Sequence, residues 1–526
     1  MTKILRATFA GALAIVLWGQ LATAQGPPFK DLDSFVKYVN SHIKAPFDRD
    51  SARLPVGGLK ALLKNAAPKA GVTGQNVKVN RDRDPWPKAE IAVGLDPTNG
   101  RNVVVMSNDF RENYDHMFYH VSTSGGGGWT DDSMVGGADP VTGFIPLTFQ
   151  SDPGVAFDTR GHSMLSTITG NLIFDFNSGY ENLDTEIEVA EGFAHGIYTQ
   201  QFPIPIDDQP CSGTFTGPFN CAAQLDKPLI TIDNVPGSPN NGTIYVYYTL
   251  FCVQPTPCTD GNATVPGFSS AILVATSPGA GLPFGPPELV SGNTLTQEQF
   301  SFLVVDSRGT PHMFFDDFSG NFPTITMWES TLKGGAWVVS RQPVATFKFL
   351  RFSSVNWFFR IAGTVAPGCG IQEDTAYCAF SANQIAGGPP ESGLSVYVAV
   401  VNTETGASSI HRVNNDPFND GSDHFFPWAT TKADGSVYVG WYDDRNDPFN
   451  TKVQYFVGKS TDRGKTFPMQ MPVSDTSFNP CIGFPLCGFF GDYTQIAAGP
   501  DGVVHAAWSD TRDGASMQIW SQAINW

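Results

Sequence analysis

Three copies of one short pattern carry arginines that could hold an anionic ligand. They are Asp109-Phe110-Arg111, Asp443-Asp444-Arg445 and Asp510-Thr511-Arg512, each following an apolar run that ends at Met106, Trp441 or Trp508. Guanidinium forks match carboxylates bidentately, so three such arginines brought together would clamp a substrate carboxylate. The same spacing also suits a salt-bridged turn that closes its own unit. A second set stands at the starts of other apolar runs: Glu90, Asp152, Asp226 with Lys227, Gln299, Asp423 with His424, and Asp492 with Tyr493. Acids gathered from these positions could act as general acid and base, or hold Ca²⁺ through hard oxygen ligands. They could equally satisfy backbone donors at strand starts. No Cys-x-x-Cys pair occurs, so no zinc site is expected.

Positioning these residues requires a regular scaffold, and the chain repeats. A short apolar strand, an Asp- and Gly-bearing turn, and a second strand ending in an aromatic or acidic residue recur every 60 to 80 residues or so. The clearest copies surround Asp501-Gly502, Asp434-Gly435 and Asp306-Ser307-Arg308-Gly309. Weaker ones begin at Leu229, Val155 and Ile91, and a poorly matched seventh lies around Phe352 to Phe380, interrupted by Cys369 and Cys378. Each unit holds two strong strands and room for two more. Four-stranded units that bury a core only by stacking predict an all-β propeller, most simply of seven blades, with six as the alternative and repeated sandwiches as the rival architecture. The last unit ends after three strands, and Asn76 to Val79 can supply its fourth, which would close the ring and remove an exposed edge. On this reading the candidate arginines lie in blades one, six and seven, neighbours in a closed ring.

Ser460-Thr461-Asp462-Arg463-Gly464-Lys465-Thr466-Phe467 matches the Asp-box, Ser-x-Asp-x-Gly-x-Thr-aromatic, at every specified position. Degenerate versions at Ser122 to Trp129, Ser277 to Phe284 and Ser330 to Trp337 keep the Ser, a Gly four positions on and the aromatic. On these boxes the chain, over residues 76 to 526 and best in its last third, resembles the sialidase-like, BNR-repeat propellers. That resemblance implies a propeller fold and, more loosely, a glycan or glycoconjugate substrate; an exo-glycosidase is one expectation and a non-catalytic glycan- or protein-binding propeller the alternative. By the same resemblance Arg111, Arg445 and Arg512 would clamp substrate, with Asp226 and His424 beside them. Tyr493 next to Asp492 would be the nucleophile, with Glu90 or Asp152 as its proton partner. The family's Arg-x-Pro element ahead of the first blade has a loose counterpart in Arg83-Asp84-Pro85.

Residues 1–24 read as a secretory signal peptide: Lys3 and Arg6, an apolar run from Ala10 to Leu17, then Ala22-Thr23-Ala24 as the cleavage site. Residues 25–75 would form a leader with short helices near Asp31 to Ile43 and Leu59 to Ala67. A secreted or periplasmic monomer follows, with no membrane span. Eight cysteines fall into four neighbouring couples, Cys211/Cys221, Cys252/Cys258, Cys369/Cys378 and Cys481/Cys487, expected to be loop disulfides in an oxidising compartment. A formal charge of −18 repels phosphate backbones and argues against nucleic-acid partners.

Overall fold

The computed structural model describes residues 75–526 apart from 112–114, 134–148, 171, 176–178, 184, 193–203, 210, 213–219, 222, 321–322, 350–356, 358, 362–367 and 485–486. The expected signal peptide and helical leader lie outside the described residues. Those described form strands, turns and loops, with no α-helix.

Seven antiparallel sheets follow one another along the chain. Blade one comprises Lys88–Leu95, Val103–Asp109, His116–Ser122 and Asp132–Ser133. In blade two Phe149–Phe157, Ser163–Gly170, Thr185–Gly192 and Ile204–Gln209 pair in that order, and a small separate sheet is inserted between its middle strands and after its last. Blade three is Ala223–Ile232, Ile244–Cys252, Ser269–Ser277 and Glu288–Leu289. Blade four starts Glu298–Val305, Pro311–Asp317, Thr324–Lys333, and its outer position is shared by Ala336–Val339 and Ala345–Lys348. Blade five is the poorly matched seventh copy: Gly368–Gln372, Thr375–Ala382, Ser395–Asn402 and Ser408–Arg412. Far from interrupting it, Cys369 and Cys378 face each other across its first two strands as a disulfide. Blade six is His424–Thr431, Val437–Asp443, Gln454–Ser460 and Met469–Pro472.

Blade seven closes the ring. Its strands Ile496–Ala498, Val504–Asp510 and Gln518–Ile524 are completed by Val77–Lys78, which pair with Ser521 and Trp520. The innermost strands of blades one and seven meet at a parallel bridge between Ile91 and Thr494, and Gln495 accepts the Val93 amide at 3.0 Å. Seven blades in a closed ring make this a β-propeller, the larger of the two sizes the repeat allowed. The core lies between blades. Gly94 shows how closely they approach, since a Cβ there would sit 2.3 Å from a Val155 methyl of blade two.

The Ser460–Phe467 turn shows why the motif keeps its residues. Ser460 Oγ accepts the Gly464 amide (2.9 Å), and Asp462 accepts the Thr466 amide (2.9 Å) and hydroxyl (2.7 Å). Gly464 has φ +76°, and a Cβ there would press on Tyr377, so glycine is required on two counts. Phe467 plugs the space between blades five and six beside Tyr377, Val398 and Trp441.

Disulfides join Cys252 to Cys258, Cys369 to Cys378 and Cys481 to Cys487, as the couples predicted. Cys211 and Cys221 are opposite one another in a ladder, and their side chains lie outside the described ones. No helix among the described residues is long and apolar enough to cross a membrane.

Candidate active site

The innermost strands share one irregularity. In blades one, two, three, four and six the register slips near the strand start, and the extra residue is left-handed: Glu90, Asp152, Lys227, Phe300 and Phe426, with φ between 52° and 58°. A non-glycine residue in this conformation costs on the order of 1–3 kcal/mol, so it persists only where the surroundings enforce it. The device carries charge in blades one to three. In blades four and six it carries aromatic rings, which pack into the main core.

The charged half converges on one ammonium group. Lys227 Nζ lies 2.9 Å from Asp152, 3.3 Å from Glu90 and 2.8 Å from Asp492. Arg360 grips the other side of Asp492, with Nε 2.6 Å from Oδ1. Gln299 of blade four donates to Asp226 at 2.8 Å, and Asn108 donates to Glu90 at 2.8 Å while accepting the Asp152 amide. Tyr493 lies under the Lys227 ammonium, 5.7 Å from ring centre to nitrogen. Four carboxyl groups and two cations thus meet where blades one, two, three and seven adjoin, all of them buried.

Four acids facing two cations do not all ionise. Burial pulls Asp152 and Asp492 toward the neutral form, but Lys227 at Asp152, and Arg360 joined by Lys227 at Asp492, outweigh it and hold both below the usual carboxylate range. Burial wins at Glu90, which is pushed well up with help from the charges of Asp152 and Asp492. Asp226 is pushed up to about 8 by burial, reinforced by Asp152 and opposed by Lys227. Around the same lysine the acids are thus driven in opposite directions, Asp152 and Asp492 down and Glu90 and Asp226 up. Pairs whose environments drive them apart in this way are what acid–base division of labour requires.

The structure brings Glu90, Asp152, Asp226 and Asp492 together, and Tyr493 with them. The hydroxyl of the tyrosine expected as nucleophile is turned to the main chain. It donates to the Pro153 carbonyl at 3.0 Å, and burial, then the Asp152 and Glu90 charges, raise its pKa well above the ordinary value.

The three arginines expected as a clamp are each held within their own turn. Arg111 Nε meets Asp109 at 2.9 Å, Arg445 meets Asp443 at 2.8 Å and Arg512 meets Asp510 at 2.9 Å, each within its own turn. Each guanidinium also covers an aromatic ring of its own blade: Phe118, Phe456 and Trp520 respectively. Further acids, Asp82 and Asp131 for Arg111, Asp416 for Arg445 and Asp475 for Arg512, complete their neutralisation. Among the described residues no contact joins any of the three to the Lys227 cluster. An aspartate two residues from an arginine on one turn pairs with it more readily than three blades can bring their arginines to a point.

His424 also belongs to the scaffold. It faces Asp443 in the ladder as Lys88 faces Asp109 in blade one, so both rungs set a buried cation against the turn aspartate. Its Nε2 lies 3.3 Å from Asp416 and 3.4 Å from Asp443. Burial alone would lower its pKa; Asp443 and Asp416 together, against Arg445, raise it to about 9. Because the folded pKa lies above the ordinary histidine value of 6.5, the stabilisation is complete below pH 6.5 and is lost as pH rises toward 9. The stability advantage of wild type over His424→Gln should therefore shrink by about 2–3 kcal/mol across that window. Urea titrations of both proteins at pH 6 and pH 9 check this; an unchanged difference would show the histidine to be neutral.

Arg360 escaped the sequence reading. It sits in an irregular stretch between blades four and five that shows no strand pattern, and its one signal is a lone charge in the aromatic run Trp357-Phe358-Phe359-Arg360-Ile361. Arg83, of the loose Arg-x-Pro match, is exposed. Ca²⁺ does not fit the axial acids, because Lys227 and Arg360 occupy the positions a cation would take. Among the described residues no group of three or more His, Cys, Asp or Glu side chains is arranged for a metal ion.

No protein-family model matches this chain. No curated protein matches it either. Solved structures with some likeness include the GH93 alpha-L-arabinofuranosidase of Fusarium graminearum with arabinobiose, at TM-score 0.43 and 9% identity over 86% of this chain and 98% of that one. The alpha-L-arabinanase of Penicillium chrysogenum with arabinobiose gives 0.41 and 10% over 87% and 99%. A Hadza microbial sialidase gives 0.40 and 11% over 87% and 94%. The propeller fold stands on the strand pairing described above.

Proposed function

We propose that this chain is a secreted or periplasmic propeller acting on glycans as a glycoside hydrolase, through the carboxyl groups at its axis. The observation that carries the reading is the meeting of buried carboxyl groups from separate blades around Lys227, with Asp226 pushed up and Asp152 held down by that environment. Glycoside hydrolysis needs a carboxylic acid that protonates the leaving oxygen and a carboxylate that attacks the anomeric carbon or activates water. Asp226 fits the acid and Asp152 the carboxylate. Glu90, Asp492 and Arg360 set the charge balance, and Lys227 holds Asp152 ionised. Tyr493 then shapes the floor of the site. A monomer suffices, since every group comes from one ring.

A panel of fluorogenic aryl glycosides tests the reading, with neutral pentosides and hexosides alongside a sialoside. Turnover of at least one, abolished by Asp152→Asn, is the expected result; no turnover of any would remove the hydrolase. A second reading is favoured by the separate Asp–Arg turns and the ion-paired state of the axial groups: a rigid, non-catalytic glycan-binding propeller. Glycan binding without turnover would select it.

A further inference from the structure

The five-residue sequence Asn-Asp-Pro-Phe-Asn occurs twice, as Asn415-Asp416-Pro417-Phe418-Asn419 and Asn446-Asp447-Pro448-Phe449-Asn450. The first copy lies in the connection from blade five to His424 of blade six, the second in the connection from Asp443 to the third strand of blade six. His424 and Asp443 are partners in one rung, so both copies open on the same end of the blade. Lys88 and Asp109 form the corresponding rung of blade one, beside the Glu90 bulge, so this is also the end that carries the axial acids.

Both copies present their ring to solvent. Phe418 is 60% exposed and Phe449 75%. The asparagine after each ring is left-handed, at φ 62° and 49°, and the proline before it fixes the opposite side of the turn. The two loops are tied to each other. Arg445 donates to Asn415 at 2.8 Å and pairs with Asp416 at 3.2 Å, and Asn450 donates to the Gly421 carbonyl at 3.0 Å. Arg412 lies over the Phe418 ring at 4.3 Å. In the second copy Asp447 instead caps its own loop, accepting the Thr451 and Lys452 amides at 2.8 Å each. One motif therefore uses its aspartate in two ways while keeping the same exposed ring. Apolar rings of this size are costly to leave in water, and the loops spend bridging contacts on holding them there.

We infer that Phe418 and Phe449 form an accessory platform on which a neutral polysaccharide chain stacks while another part of it reaches the axial acids. The inference rests on the glycan reading above. The chemistry of the rim selects the occupant. Asn415, Asn419, Asp420, Asn446 and Thr451 surround the rings with short exposed polar groups, which suits a sugar with an apolar C–H face and hydroxyl edges. An apolar protein partner would want a continuous apolar patch instead. The bordering Asp420 and the net charge of −18 disfavour a polyanion.

Electrophoresis of the native protein through gels containing soluble arabinan, xylan or β-glucan tests the platform. Wild type should be retarded in at least one gel, and Phe418→Ala/Phe449→Ala should bind that polysaccharide at least about ten-fold more weakly. Turnover of a small aryl glycoside should not change in the double variant, because a single sugar does not span from the axis to the rim. Equal retardation of both proteins would overturn the platform while leaving the glycan reading standing. Retardation in none of the three gels would also overturn it, and aryl glycoside turnover would then judge the glycan reading separately. A dimer that becomes a monomer on double substitution, seen by sedimentation, would overturn it by assigning the rings to self-association.

Discussion

Asp226→Asn should lower kcat/KM on a responding aryl glycoside by about 10²–10⁴-fold while leaving the thermal midpoint within a few degrees of wild type. The two halves of that result have one cause. Asp226 is pushed up to about 8, so near pH 7 it is a neutral group accepting from Gln299, and an asparagine reproduces its charge and nearly its shape. What the asparagine lacks is a proton that can be delivered to a leaving oxygen. The same assignment predicts that kcat/KM falls above about pH 8, since the acid must be protonated to act and loses its proton there. Asp152→Asn should lose activity as well, but at a cost in stability, because it removes an ionised partner of Lys227. Full activity in Asp226→Asn, with an unchanged alkaline limb, would take the acid role away from this residue.

Lys227→Met should be the most destabilising single change at the axis, by about 3–5 kcal/mol at pH 7. One ammonium compensates Asp152, Glu90 and Asp492 at 2.8 to 3.3 Å, and the substitution leaves buried carboxylates with only Arg360 beside them. The sign of the pH dependence follows from the acids it serves. Asp152 and Asp492 have folded pKa values below their ordinary ones, so their contribution is present above the unfolded value near 3.8 and is lost as pH falls through the folded one. The deficit of Lys227→Met should therefore be largest at neutral pH and shrink toward pH 4, where these carboxyls become neutral in the variant. Denaturant titrations at pH 7 and pH 4.5 measure both. A loss below about 0.5 kcal/mol at pH 7 would mean the acids hold one another by shared protons and do not need the lysine.

Features set by near neighbours were legible before the fold was known. The propeller could be read because a four-stranded blade writes its period into the chain, and the closing strand near Val77 because the last unit visibly lacks one. The Ser460–Phe467 turn and three cysteine couples are local in the same sense, as their bonds span nine residues or fewer. The Asp-x-Arg turns were local as well. Their repetition was visible, and the pairing inside each turn is what two-residue spacing allows; the clamp expected from them asked three neighbouring blades to override it.

What the amino-acid sequence determined by itself is a ring of like sheets and the short-range turns that finish each sheet, because strand alternation, glycine-dependent turns and i to i+2 ion pairs need only adjacent residues. Tertiary structure alone decided the axial site. Lys227 is 75 residues from Asp152 and 137 from Glu90, and Arg360 reaches Asp492 across 132. The blade period sets these strand starts one or two units apart, but it does not encode which side chains meet, and Arg360 lies outside the repeat. Only ring closure and the left-handed bulges put the groups in contact, and only there do burial and the two cations push four similar carboxyls in opposite directions.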